Sequence, residues 1–150
     1  MKKTDNLELL LQEYFKGNKL MQLATVSNGK PWLCNLYYVT DKDNNIYWTS
    51  TKKRRHSREI LENPVSACSI VHHEDNKQAL QITGKSYEVS LDDAERVNKL
   101  YSDKFGDKPS RLTEVLEDTP EGRAYWVLKP ETISFWDEVN FPDSPKQEYS

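Results

Sequence analysis

The dipeptide Asn28-Gly29, set between the β-rich runs "KLMQLATV" (19–26) and "PWLCNLYYVT" (31–40), narrows the possible folds more than any other feature. Asn-Gly suits a two-residue turn whose central residues both need positive φ, the geometry that joins twisted antiparallel strands. A third run, "NIYWTST" (45–51), follows the turn "DKDNN", so three strands in an antiparallel meander are expected. "VSACSIVHH" (65–73) and "QALQITGKSYEVS" (78–90), joined by "EDNK", predict a second hairpin. "RAYWVLKP" (123–130) and "TISFWDEV" (132–139) add a last pair. Parallel pairing would need a long crossover after each strand, so about seven strands at this spacing predict an antiparallel barrel or sandwich.

Helices are expected around that sheet. In "DNLELLLQEYFK" (5–16), Asp5 is a cap with Glu8 three residues on, Leu7, Leu10, Leu11 and Tyr14 recur at helical spacing, and Gly17 ends the segment. "KKRRHSREILEN" (52–63) is a short helix closed by Pro64. Ser90 and Asp93 predict a capping box for "DDAERVNKLYSDKF" (92–105), with "RLTEVLE" (111–117) following. The 150 residues form one domain by this reading, with a linker-like tail over 138–150.

Composition excludes several classes. Four Trp, eight Tyr and four Phe supply the apolar surface of a folded core despite 30% charged residues. No apolar run approaches the roughly 20 residues that span a bilayer, and the N-terminus lacks the pattern of a secretory leader, so a cytoplasmic protein without a membrane partner is expected. A net charge of −3 argues against a nucleic-acid partner. Cys34 and Cys68 both lie in apolar runs and read as buried free thiols. In "VHHED", His72, His73, Glu74 and Asp75 are consecutive, and neighbours on a strand point to opposite faces, so a loop is favoured over a metal site.

One segment resists a purely structural reading. In "IYWTSTKKRRHSREILENP" (46–64), Lys52, Lys53, Arg54, Arg55 and His56 stand together at a helix start in an acidic chain. A charge run is ordinarily a solvated face. Cations there oppose the helix dipole, however, at a few tenths to about 1 kcal/mol each. An anion reverses that penalty, because free backbone N–H groups and basic side chains converge on it. Thr49, Ser50 and Thr51, just upstream, add hydroxyl donors. The run therefore predicts a phosphate-sized ligand.

The order of helix, hairpin, strand with "YWTST", basic helix ending in "ENP", "VSACSIV", "LQITG", helix and a late "ISFW" resembles the pyridoxamine 5′-phosphate oxidase-like superfamily of FMN-binding split barrels, across residues 5–137. That resemblance implies a mainly β fold, an antiparallel Greek-key-type barrel with flanking helices. It implies FMN as cofactor and a homodimer that builds each flavin site from both chains. It assigns the phosphate to Arg55 and His56, with Lys53 or Arg54 as helpers, and cofactor contact to Thr49 and Ser50. The strand "CNLYY" lines the flavin ring, making Asn35 and Tyr37 candidates, while Gln81 and Trp136 fall at two further family positions.

Two departures bear on substrate. The true oxidases carry an Arg-rich strand ahead of the flavin and an Arg-x-His-Asp-Arg type tail that grips the substrate phosphate, where this chain has "WLCNLYY" and "WDEVNFPDSP". Pyridoxamine 5′-phosphate is therefore not the expected substrate. Two functional readings remain. One is an FMN-dependent oxidoreductase acting on an unknown small molecule, in which the cofactor supplies the chemistry. The other is a non-catalytic dimeric module that binds or senses FMN or haem.

Overall fold

The computed structural model describes residues 3–106 and 110–149. The elements run α1 (Lys3–Lys16), β1 (Leu20–Ser27), β2 (Lys30–Tyr37), β3 (Val39–Thr40), β4 (Ile46–Thr51), α2 (Arg55–Glu62), β5 (Val65–His73) and β6 (Gln78–Glu88). A single 3-10 turn then leads into α3 (Ala94–Phe105), α4 (Leu112–Glu117), β7 (Arg123–Asp137) and β8 (Lys146–Tyr149). No helix among the described residues is long and apolar enough to cross a membrane.

Asn28 and Gly29 do form the expected two-residue turn, with φ of 52° and 73°, and Ser27 pairs with Lys30 across it. All the strand pairs are antiparallel, in the order β2-β1-β5-β6-β7-β4-β3, with β8 added on β7. β2 and β3 lie at opposite ends of that order yet are separated in the chain by Tyr38 alone. The sheet must therefore curl until its edges meet there, which makes it a barrel split at that residue. Tyr38 is fully buried and ties the seam to the end of α1: its backbone N–H donates to Lys19 O and its hydroxyl to Phe15 O at 2.8 Å.

This closure corrects the simple meander. The third run does not lie along "PWLCNLYY"; only Ile46 and Tyr47 pair with β3, while β4 runs along β7. The step from β4 through α2 to β5 passes over β7 and β6, as a Greek-key connection does. The basic helix is also shorter than expected, with 52–54 forming a turn ahead of it.

The last two expected strands are one strand. Pro130 reads as a break, but register jumps from Thr83↔Thr132 to Gly84↔Pro130, and the unpaired Glu131 forms a bulge that tolerates a residue without an N–H. Gly84 is required there, since a Cβ would stand 2.2 Å from Lys129 O. Bent at the bulge, β7 pairs its first half with β4 and its second half with β8. That last strand falls inside the tail whose Pro-rich composition reads as linker; its four residues are held by ladder bonds to β7 and by Gln147, which is buried.

The interior contains Met21, Leu23, Trp48, Ile70, Leu80, Ile82, Trp126 and Phe135, joined by Leu7, Leu11, Tyr14 and Phe15 of α1. A second cluster, with Tyr47, Val97, Val115, Tyr125 and Val127, lies between β4, β7 and the pair α3–α4. β4 and β7 are thus covered on both faces, which explains why "YWVL" is apolar without alternating. Cys34 and Cys68 both align with Leu23, one strand away on either side. Strands sit about 4.8 Å apart, so the thiols are two strand spacings from each other, beyond disulfide reach. Burial pushes the Cys68 thiol up to about 12.

Candidate functional site: the start of α2 and the outer sheet face

The five basic residues divide by role. Lys52 is the structural one. Its backbone N–H donates to Gly122 O, and its ammonium reaches Asp118 at 3.0 Å, Thr119 O at 3.1 Å and Glu88 at 3.4 Å. Burial opposes that charge, but the two carboxylates outweigh it and raise the pKa. It pins the end of β4 to the loop before β7.

Lys53 and Arg54 are exposed at the turn into α2, and neither forms an ion pair among the described residues. Arg54 is the N-cap and offers no side-chain cap, while the first turn holds no acidic residue. The amides of Arg55, His56 and Ser57 accordingly find no acceptor among the described residues. Thr51 Oγ1, at the end of β4, is likewise left without a partner.

Arg55 turns away from that end. Its Nε donates to Glu59 at 3.1 Å, and its guanidinium lies over the Trp32 ring, 4.2 Å from the centroid. Glu59 is buried, with only the Thr25 hydroxyl at 3.5 Å as a further partner. Arg55 therefore neutralises a buried carboxylate, and it borders a cleft of about 370 Å³ shared with Lys30, Arg58 and Glu62.

His56 departs furthest from expectation. It is buried, and its Nε2 lies 3.0 Å from Ser50 Oγ. Burial is the main cause lowering its pKa, the Arg54 charge adds to it, and Glu59 opposes. Neutral and engaged inward, it is a strut between β4 and α2 that does not point at an anion outside. Thr49 and Ser50 cannot act on one ligand face, because strand neighbours point oppositely. Ser50 faces inward to His56, while Thr49 donates to Ala124 O at 3.1 Å and shares a cleft with Asn98, Tyr101 and Tyr125 under α3.

The remaining candidates converge on the outside of the sheet. Asn35, Gln22, Ser69, Gln81, Ser134 and Glu148 are successive cross-strand partners, forming one polar row across six strands. Hydrogen bonds run along it: Gln22 Nε2 donates to Asn35 at 3.0 Å, Ser69 Oγ to Gln22 at 3.2 Å and Ser134 Oγ to Glu148 at 2.7 Å. Two residues along the same strands stand Tyr37, Leu20, Val71 and Trp136, all exposed. Asn35, Tyr37, Gln81 and Trp136 thus share a face. Gln22 and Ser69 belong to it and are absent from the sequence-derived set, since only strand register reveals them.

A half-open antiparallel barrel, split at one buried tyrosine and flanked by helices, defines a split-barrel protein. The sequence matches the family of pyridoxamine 5′-phosphate oxidase over residues 8–137, and the chain belongs to that family. No curated protein matches it in sequence. Among solved structures, it is similar to a putative pyridoxamine 5′-phosphate oxidase from Listeria innocua, at 20% identity and a TM-score of 0.67, covering 86% of this chain and 97% of that one. The haem storage protein of Vibrio cholerae is similar at 21% identity and 0.65, covering 83% and 90%. A haem-binding protein from Mycobacterium smegmatis aligns at 14% identity and 0.69 over 92% of this chain, which spans 57% of that protein's length. At these identities the likeness is one of fold.

Proposed function

We propose that this chain is a homodimeric FMN-binding oxidoreductase of the split-barrel type, acting on a small molecule other than pyridoxamine 5′-phosphate. The observation that carries it is the start of α2, where Lys53, Arg54 and three amides without acceptors among the described residues lie at a helix end whose first turn holds no acidic residue. These residues fit a flavin phosphate; Arg55 is held by Glu59, and His56 supports from behind. The outer face fits the ring, with Asn35 and Gln81 to hydrogen-bond its heteroatoms and Tyr37 and Trp136 as aromatic surfaces. FMN, when bound, supplies hydride or electron transfer.

The rest of the work falls to the chain. Lys53 and Arg54 bind and orient the phosphate. A second copy, packed on exposed Leu20, Leu33, Tyr37, Val71 and Trp136, covers the ring and excludes water. The residues directly after Trp136 supply no cation for a substrate phosphate, and the later Lys146 is paired with Glu148 at 3.6 Å. Asp137 is buried there and accepts from Tyr14, Gln78 and Asn140, and Glu138 follows.

The visible spectrum of protein purified with added FMN tests this reading. A retained flavin spectrum that NADH or NADPH bleaches supports it. A haem spectrum favours the cargo named for two of the structural relatives. A colourless protein overturns both.

A further inference from the structure

A second cleft, of about 480 Å³, opens between α1, the turn after β3, and α3, away from the start of α2 and the outer sheet face. Its apolar lining is Phe15, Val39 and Leu100, and Lys104 projects from α3 among them. The Lys104 ammonium donates to Phe15 O at 3.1 Å and sits 3.7 Å from the centre of the Tyr38 ring, itself fully buried. No carboxylate pairs with it among the described residues. We propose that Lys104 is the nucleophile of a carbonyl-capturing site, taking a small aldehyde or 2-oxo acid that carries a negative charge, as an imine.

Four charged groups face the cleft beside it. Asp103 is paired with Lys99 at 3.1 Å, and Asp41 lies 3.7 Å from Arg96 while accepting from Tyr47. Lys16 and Lys42 have no such partner among the described residues, so the unbalanced charge is positive and favours an anionic substrate. Burial pushes the Lys104 amine down to about 8, against 10.5 for an ordinary lysine. At pH 8 a larger share of it is free base than of an ordinary lysine. The free amine still donates one N–H to Phe15 O, which holds it in place with its lone pair available. That pair attacks the carbonyl carbon; the C–N bond forms, the carbonyl oxygen takes up protons and leaves as water, and the imine remains with no oxidant or reductant required.

The test treats the whole protein with glyoxylate and cyanoborohydride at pH 8, followed by peptide mapping for carboxymethyl-lysine. The site predicts modification at Lys104 at least about tenfold faster than at Lys16 or Lys42. It also predicts faster reaction with glyoxylate than with neutral glycolaldehyde, and loss of the fast phase in Lys104→Arg. Modification of Lys104 no faster than of the exposed lysines overturns the nucleophile, and equal rates with both aldehydes overturn the anion preference. No flavin is involved, so neither outcome depends on the FMN site.

Discussion

Replacing Arg55 by methionine separates two roles that the basic run combines. Methionine keeps an unbranched apolar chain against Trp32 but leaves Glu59, 6% exposed, with only the Thr25 hydroxyl at 3.5 Å. An unsatisfied buried group costs about 1–3 kcal/mol, and breaking a fully buried ion pair about 3–5 kcal/mol. Arg55 is half exposed, so the lower range applies, and about 2 kcal/mol is expected. For a chain of this size that lowers Tm by about 4–8 °C. Adding Glu59→Gln removes the orphaned charge and should restore most of the loss, giving a coupling of about 1–2 kcal/mol in the double-mutant cycle. Urea unfolding at pH 7 of the wild type, both single variants and the double variant measures it. A neutral Arg55→Met, or a double variant that recovers nothing, refutes the assignment of Arg55 to Glu59 and returns it to the ligand.

Two further consequences concern the scaffold. Gly84→Ala places a Cβ 2.2 Å from Lys129 O, and since the obstacle is backbone the bulge must shift; a loss of about 1–3 kcal/mol by urea unfolding is expected, and an unchanged midpoint would contradict the close approach. His56 has a lowered pKa in the fold, so its contribution to stability is complete above the unfolded value near 6.5 and is lost as pH falls through the lower folded value. The stability difference between wild type and His56→Asn should therefore shrink as pH falls below about 6.5, and a flat difference would show that the ring is not held neutral.

The local rules read well from the chain. Asn28-Gly29, the "EDNK" hairpin and the helix closed by Pro64 depend on neighbours in sequence, and each appears where its residues place it. The failures lie where a distant partner decides. Pro130 signals a strand end, yet a bulge opposite Gly84 carries the strand through it. "NFPDSPKQEYS" has linker composition, but β7 has an open edge for Lys146–Tyr149 to pair with. Charge density located the start of α2, because the dipole penalty is a local argument. It could not sort the cations, since Glu59, Asp118 and Glu88 come from elsewhere in the fold. The row through Gln22 and Ser69 was hidden for the same reason: alternation gives the face, and only register joins the strands.

The measurement that bears most directly on the central claim is a fluorescence titration with FMN at pH 7, comparing wild type with Lys53→Glu/Arg54→Glu. A charge-assisted hydrogen bond contributes about 1.5–3 kcal/mol, so losing two should weaken binding by about 100-fold or more, with the variant's unfolding midpoint little changed because neither side chain has a partner among the described residues. Saturable quenching in the wild type with that loss in the variant is the predicted result; equal affinity in both proteins, or no binding by the wild type, contradicts a flavin phosphate at the start of α2.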